Sequence, residues 1–266
     1  MRAVVLILAL TLGLAAGVQA AGLALADLEP AKGDKGVYRV AEETTMALEG
    51  MPVRMSSSGL GTQTSEVVAL SKGGRATISV IVSTQTMKRT RKPSGSSDTT
   101  TSYTMEVCRA VPNGLYVDAS IGMENGEDDS VDIGRTLLEI RLPCMPGTSW
   151  RVGRMTYKDG FTLRPQSEAV GYETVQVPAG TFENCLKVNS TCPRGIEGYM
   201  EQNGERLEII SGDLEMTSWY YPLIGLVKET SRSSIRMRPE GQEEAAILRM
   251  DTTTATELTE YRLGRR

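Results

Sequence analysis

The chain has 266 residues, 29 of them basic and 33 acidic, and it contains no histidine. The mildly acidic balance argues against nucleic acid as a partner, because binding to phosphates relies on an excess of Lys and Arg. The lack of histidine excludes Ser-His-Asp and Cys-His catalysis, and zinc sites that need histidine ligands. No spacing of the carboxylates singles out a catalytic pair, so we predict no catalytic and no cofactor-binding residues.

Residues 1–20 have the pattern of a secretory signal peptide. Met1-Arg2 is followed by an apolar run over residues 3–16, and Val18-Gln19-Ala20 matches a small-x-small cleavage pattern. The apolar run is shorter than the roughly 20 residues that span a bilayer, and no similar run follows. We therefore expect an exported protein that is not an integral membrane protein. The periplasm is the favoured location, and secretion is the alternative.

The remainder of the chain predicts an all-β fold. Residues 21–36 contain at most one helical turn, and after them Thr, Ser, Val and Ile recur between closely spaced turn residues. Ser71–Gly74 and Val111–Gly114 are two such turns, and each supplies glycine where a tight turn needs positive φ. These signals predict hairpins in a meander, forming a large curved antiparallel sheet or half-open barrel with little helix after the signal peptide.

Four of the five residues from Lys88 to Lys92 are cationic: Lys88, Arg89, Arg91 and Lys92. A run of Ser, Thr and Gly follows them, which predicts a polar loop between strands. Such a loop is a candidate contact for an anionic surface, for example lipid head groups. The alternative is an exposed, flexible loop with no partner.

The densest acidic segment contains Asp128, Asp129, Ser130 and Asp132, whose oxygens are possible calcium ligands. The segment lacks the regular spacing of a calcium-binding loop and the bidentate Glu at its end. A solvated hairpin tip is therefore the favoured interpretation, and we predict no metal site.

Cys108, Cys144, Cys185 and Cys192 are the four cysteines. An even number in an exported chain suggests two disulfides, and of three possible connectivities the sequential one is weakly favoured. Seven extended steps span about 23 Å, so Cys185 and Cys192 can pair only if the chain turns near Asn189. One continuous strand over this region would exclude that pair.

The clearest hairpin in the second half of the chain has its turn at Pro178-Ala179-Gly180. Proline presets φ at the second turn position, and glycine tolerates the left-handed conformation of a bulge. Simple alternation then places Val175, Phe182 and Leu186 on one face. The Asn203-Gly204 pair marks another hairpin. A boundary near Met145 divides the chain into a first β half, 21–145, and a second, 146–266, which we expect to continue as one sheet.

Several motifs in the second half occur in a recognisable order. Val177-Pro-Ala-Gly-Thr-Phe182 is followed by Trp219-Tyr-Tyr-Pro222 and Gly225-Leu-Val-Lys228. This order resembles that of the TapB-like family, a group of uncharacterised bacterial exported proteins. The resemblance implies a curved antiparallel sheet similar to the half-barrels of periplasmic lipoprotein carriers. It implies no catalytic residues, and the motif positions also have structural roles. These positions are Pro178, Gly180, Phe182, Trp219 and Gly225.

Two functions are consistent with these features. The first is a non-catalytic protein that binds or carries an apolar ligand, such as a lipid or a lipoprotein segment, on a concave β face. The 13 methionines and only two phenylalanines suit an interior that adapts its shape. The alternative is a structural or assembly accessory of the cell envelope that acts through protein–protein contacts, for example by adding a strand to an exposed sheet edge.

Overall fold

The computed structural model describes residues 22–52, 54–158, 160–202 and 205–264. The predicted signal peptide lies outside these residues. In chain order the elements are α1 (Leu25–Leu28), β1 (Lys35–Leu48), β2 (Arg54–Gly73), β3 (Ala76–Lys92), β4 (Ser97–Val111), β5 (Gly114–Glu124), β6 (Glu127–Asp128), β7 (Val131–Asp132), β8 (Leu137–Arg141), β9 (Ser149–Arg151), β10 (Met155–Tyr157), β11 (Thr162–Leu163), β12 (Gln166–Val177), β13 (Gly180–Thr191), β14 (Tyr199–Gln202), β15 (Glu205–Tyr221), β16 (Gly225–Pro239) and β17 (Leu248–Arg262). In this part of the chain, no helix has the length and apolar character that crossing a bilayer requires.

One large antiparallel sheet dominates the fold. Its strands follow the order β6-β5-β4-β3-β2-β1-β17-β16-β15-β13-β12-β9, with β8 added beside β5 and β14 beside β15. A small sheet of order β11-β10-β7 accompanies it. The large sheet is not closed into a barrel, and the predicted all-β, curved antiparallel fold is confirmed.

The first and the last strand meet in the middle of the large sheet. β1 pairs with β17 over its whole length, from Lys35 opposite Arg262 to Leu48 opposite Leu248. On one side of this seam, β1 to β5 form a meander of consecutive hairpins. On the other side, β15, β16 and β17 do the same. The two halves of the chain thus contribute to the same sheet.

Alternate residues of β1 define the inner face of the sheet. Val40, Glu42, Thr44 and Met46 are buried, whereas Glu43 is exposed. Successive side chains of a strand point to opposite faces, so the strands paired with β1 continue this inner face through the residues opposite these four. Along β1 the inner face is apolar at Val40 and at Met46, and the two positions between them carry buried polar side chains.

Two apolar clusters stabilise the fold. The main cluster gathers buried side chains from both halves of the chain, such as Ile81, Leu115, Ile140 and Met237. Burial of each such side chain contributes about 1.5–3 kcal/mol of favourable transfer free energy. A second cluster contains Tyr38, Val175, Val177, Phe182, Cys185, Trp219, Ile224, Val227 and Leu258.

The turn between β12 and β13 anchors the second cluster to the sheet. Pro178 and Ala179 form the turn, and the backbone N–H of Ala179 donates to the carbonyl of Leu258 at 3.0 Å. Gly180, the first residue of β13, has φ +139°, and Gly225, the first residue of β16, has φ +79°. Both angles favour glycine. Beyond the turn, the indole N–H of Trp219 donates to the Glu173 carboxylate.

The alternation predicted for this hairpin is wrong beyond Phe182. Phe182 packs in the second cluster, but Leu186 and Val188 belong to the main cluster. Asn184 has φ +59°, and the pairing of β12 with β13 shifts register between Glu173 and Val175. The extra residue of this β-bulge reverses the side-chain alternation. Leu186 therefore lies on the opposite side of the strand from Phe182.

The predicted disulfides are a second correction. All four cysteines are free and buried. Cys185 lies within β13 and Cys192 directly follows its last residue, so the turn that their pairing needs is missing. Cys144 instead forms a β-bridge with Leu23, and Cys108 packs in the main cluster.

We expect the four thiols to be inert in the folded protein. Burial raises the pKa of Cys144 and of Cys185 to about 12, so the reactive thiolate is scarce at neutral pH. An Ellman titration without reductant checks this: little or no reaction under native conditions, and four thiols in denaturant. Fewer than four thiols after unfolding would show that the cysteines are oxidised.

Candidate functional site

A recess of about 310 Å³ opens where β1, β2 and the end of β3 meet. Its volume lies at the lower end of the range for small-molecule sites, about 300–1,000 Å³. The residues that line it are Glu42, Thr44, Met46, Met55, Ser56, Ser57, Arg89, Arg91, Lys92, Pro93 and Ser94. Methionine side chains and the aliphatic stems of the basic residues thus surround a space with cations at its rim.

Strand register explains how the sequence builds this recess. Met46 lies opposite Met55 in the β1–β2 pair, and Ser57 lies opposite Arg91 in the β2–β3 pair. Because paired residues share a face, these side chains all belong to the inner face. Small residues on β2, such as Ser57 and Gly59, leave space between the larger side chains of the inner face.

Gly59 has a specific steric role at the floor of the recess. A Cβ at this position would lie 2.9 Å from Met87 Cε and 3.3 Å from Arg89 Cγ. The first distance is too short for two carbon atoms. Glycine therefore lets the Arg89 side chain cross β2 and reach Glu42 on the far side.

Arg89 and Glu42 form a buried ion pair. Arg89 Nε donates to Glu42 Oε1 at 3.0 Å, and Arg89 Nη1 donates to Thr100 Oγ1 at 3.0 Å. The Glu42 side chain is 1% exposed and the Arg89 side chain 12%. The floor of the recess thus contains two charges that neutralise each other.

The structure separates the four cations that the sequence grouped. They lie on β3, not in a loop, and the turn between β3 and β4 spans only residues 93–96. The polar-loop prediction is wrong because the cationic segment pairs with a strand on each side. Its partners are Ser56 to Gly59 of β2 and Ser97 to Thr100 of β4. Arg89 faces inward, whereas Lys88 is exposed and alternates with it, so Lys88 lies on the outer face.

Arg91 and Lys92 are the cations at the rim. Arg91 Nη2 lies 3.1 Å from Asp98 Oδ1, and both side chains are well exposed. Lys92 is exposed and takes part in no ion pair among the described residues. The rim therefore carries net positive charge above an apolar wall.

Three buried carboxyl groups occupy the interior away from the recess. Loss of hydration raises the pKa of Glu106 and of Glu229 to about 7, and it raises that of Glu139 well above its usual value. Ser218 Oγ donates to Glu229 Oε2 at 2.8 Å, whereas neither oxygen of Glu139 has a hydrogen-bond partner in the described structure. Glu106 and Glu229 therefore favour the neutral form below pH 7.

The acidic segment contacts its own backbone. Asp128 accepts the backbone N–H of Ser130 at 3.1 Å, and Asp132 accepts that of Gly134 at 2.8 Å. Asp128 also lies 3.8 Å from Lys158 Nζ. Among the described residues, no group of three or more acidic or cysteine side chains is placed to hold a metal ion.

Sequence reasoning missed the recess, although two signals for it exist. Glu42 interrupts the otherwise apolar or small inner positions of β1, and a buried acid in such a place requires a partner. Gly59 and Gly61 lie two residues apart within β2, and glycine inside a strand marks a close approach of another group. Neither signal identifies Arg89 as the partner.

Comparisons with known proteins give no family. No family model matches the chain, and no curated protein matches it. A solved protein of Bacteroides fragilis, described as exported and as having a YmcC-like fold, is 16% identical with a TM-score of 0.44. The alignment covers 88% of this chain and 97% of that one. A protein of Parabacteroides distasonis, described as a lipoprotein, is 14% identical with a TM-score of 0.41 at the same coverages.

Proposed function

We propose that the protein is an exported, non-catalytic binding protein that holds an anionic amphiphile in the recess between β1, β2 and β3. The observation that carries this proposal is an apolar wall of methionines directly beneath an unneutralised cation. The apolar chain of the ligand would lie against Met46 and Met55, and its anionic head would contact Lys92 and Arg91. A lipid or the acylated end of a lipoprotein has this chemistry.

The recess suits a flexible chain for physical reasons. Met side chains have three rotatable bonds and a polarisable sulfur, so they adapt to irregular apolar shapes. Met55 is 48% exposed, and covering it with an acyl chain removes apolar surface from water. The Arg89–Glu42 pair adds no net charge to the floor, so head-group selectivity would come from the rim.

Elsewhere the concave side is occupied by the protein itself. Ile81, Leu115, Val117 and Met237 on the inner face are at most 2% exposed and pack in the main cluster. The ligand would therefore occupy the recess and not the whole concave face.

The alternative, assembly through an added strand, has less support from the described residues. At the two ends of the strand order, β6 has two residues and β9 has three. β9 pairs only with Gln166 to Glu168 of β12, but β-bulges after Ala169 and Glu173 bend the rest of this edge strand, and bulges protect an edge from pairing with a partner strand.

The experiment is a calorimetric titration with decyl phosphate, using decyl maltoside as the uncharged comparison, both below their micelle concentrations. We expect saturable binding of one decyl phosphate per chain and clearly weaker binding of decyl maltoside. Lys92→Ser and Arg91→Ser should each weaken decyl phosphate binding about 2- to 5-fold, as expected for exposed charge contacts. Met55→Ser should weaken the binding of both decyl phosphate and decyl maltoside.

Lys88→Ser is the matched control, because it removes the same charge from the same strand on the outer face. It should leave both affinities unchanged. Equal binding of the two ligands, or a loss in Lys88→Ser as large as in Lys92→Ser, would contradict the proposal.

A further inference from the structure

A second, polar pocket of about 90 Å³ lies apart from the recess, above the middle of β2 to β5. Gln63, Glu106 and Tyr157 line it from β2, β4 and β10, and Tyr103 and Asp129 lie around it. The pocket volume is about that which three water molecules occupy in liquid water. The pocket therefore admits a small solute or the end of a larger one.

Two of the residues that line this pocket each have a buried polar atom without a partner. Gln63 Oε1 and Tyr157 Oη make no hydrogen bond in the described structure, and their residues are 2% and 5% exposed. Gln63 Nε2 donates to Ser65 Oγ at 3.3 Å, so the amide oxygen is the atom left free. An unpaired buried acceptor costs about 1–3 kcal/mol unless a ligand or water satisfies it.

The lining of the pocket is acidic. The described residues that line it include the acids Glu106 and Asp129 and no Lys or Arg. Glu106 is 8% exposed, and no described cation offsets the rise in its pKa that burial causes. A buried carboxylate without a cation nearby is electrostatically matched to a ligand that brings one.

We infer that this pocket binds the ammonium group of a small primary amine, with Glu106, Gln63 Oε1 and Tyr157 Oη as acceptors. An ammonium group has three N–H donors, which equals the number of these acceptors. Glu106 would supply the counter-charge, while Gln63 and Tyr157 would satisfy the remaining donors. The methyl or methylene group next to the nitrogen would point to the mouth of the pocket, near Met123 and Val131.

Binding should depend on pH through Glu106. Burial raises the pKa of this carboxyl to about 7, so at pH 5.5 most of it is neutral. The other titratable groups facing it are Asp129, Tyr157, Cys108 and Glu139. Burial raises the pKa values of Tyr157, Cys108 and Glu139, so near pH 7 the first two are neutral. The ionised fraction of Glu106, and with it the apparent affinity, should fall about 30-fold from pH 8 to pH 5.5.

The test is an NMR titration of the mature chain with ethylammonium chloride, with ethanol and potassium chloride as comparisons at matched ionic strength. We expect saturable shifts around Tyr157 at pH 8 with ethylammonium only. Glu106→Gln mimics the neutral carboxyl, so it should fold normally, weaken binding more than 10-fold and remove the pH dependence. Tyr157→Phe should weaken binding about 3- to 10-fold and keep the pH dependence.

Glu43→Gln is the control, because Glu43 is exposed on the opposite face of β1. It should change neither affinity nor pH dependence. Shifts that do not saturate, equal binding of ethanol or potassium, or unchanged binding in Glu106→Gln would each overturn the assignment and leave a pocket that holds water only.

Discussion

Replacing Arg89 with Ala is expected to lower the free energy of unfolding by about 3–5 kcal/mol, because it leaves Glu42 as a buried charge without its partner. The Glu42 side chain is 1% exposed, so water cannot replace the guanidinium. Chemical denaturation at neutral pH measures the loss. The double variant Arg89→Met with Glu42→Met should recover most of it, since it removes both charges and fills the space with apolar atoms.

The matched control for this change is Arg39→Ala. Arg39 pairs with Glu257 across the neighbouring β1–β17 seam, but its side chain is 55% exposed. An exposed ion pair contributes about 0–1 kcal/mol, so this variant should remain close to the wild type. A similar loss in both variants would mean that the burial of the Arg89–Glu42 pair has no energetic consequence.

The protein is expected to be more stable at pH 5 than at pH 8. Glu106 and Glu229 have pKa values of about 7 in the folded protein, raised by burial. At any pH between the unfolded pKa near 4.5 and the folded pKa, the native state therefore binds more protons than the unfolded state. Their stabilising contribution is complete below pH 4.5 and is lost as pH rises through 7. Each carboxyl accounts for about 3 kcal/mol, and Glu139 acts in the same direction.

The half-buried, ion-paired Asp118 opposes this trend at lower pH. The hydrogen bond from Arg109 holds the pKa of Asp118 below its usual range, so its contribution is lost as pH falls through that lowered value. Stability should thus pass through a maximum near pH 4. Urea denaturation across pH 3 to 8 measures the curve.

Glu106→Gln combined with Glu229→Gln should strongly reduce the slope of the curve between pH 5 and pH 8, because neither position can then lose a proton and only Glu139 remains. Glu43→Gln, on the exposed face, should leave the slope unchanged. If the wild type is as stable at pH 8 as at pH 5, these two carboxyls are not buried as the structure has them.

The hairpins were predictable because their signals are local. Glycines at residues 73–74 and the Pro178–Gly180 turn fix tight connections within a few residues of sequence. The pairing of β1 with β17 joins residues at least 200 positions apart, and no local pattern specifies it. The bulge at Asn184 was missed for a similar reason, since one extra residue changes the face of every residue after it.

The recess was only partly accessible from the sequence. The cationic run from Lys88 to Lys92 was recognised, but its polar composition resembled a loop. It is a strand because β2 and β4 pair with it on both sides. That pairing decides which cation is buried and which lies at the rim. The contact between Arg89 and Glu42 depends on the register of three strands and on the space at Gly59, which composition does not encode.

The most direct test of the proposed function follows the methyl groups of ¹³C-methyl-labelled methionines while decyl phosphate is added. We predict saturable shifts of Met46 and Met55, which line the recess, with Met155 and Met200 in the core unchanged. Met123, exposed at the polar pocket, should also stay unchanged. Shifts spread over the core methionines, or none at Met46 and Met55 at saturation, would contradict binding in the recess.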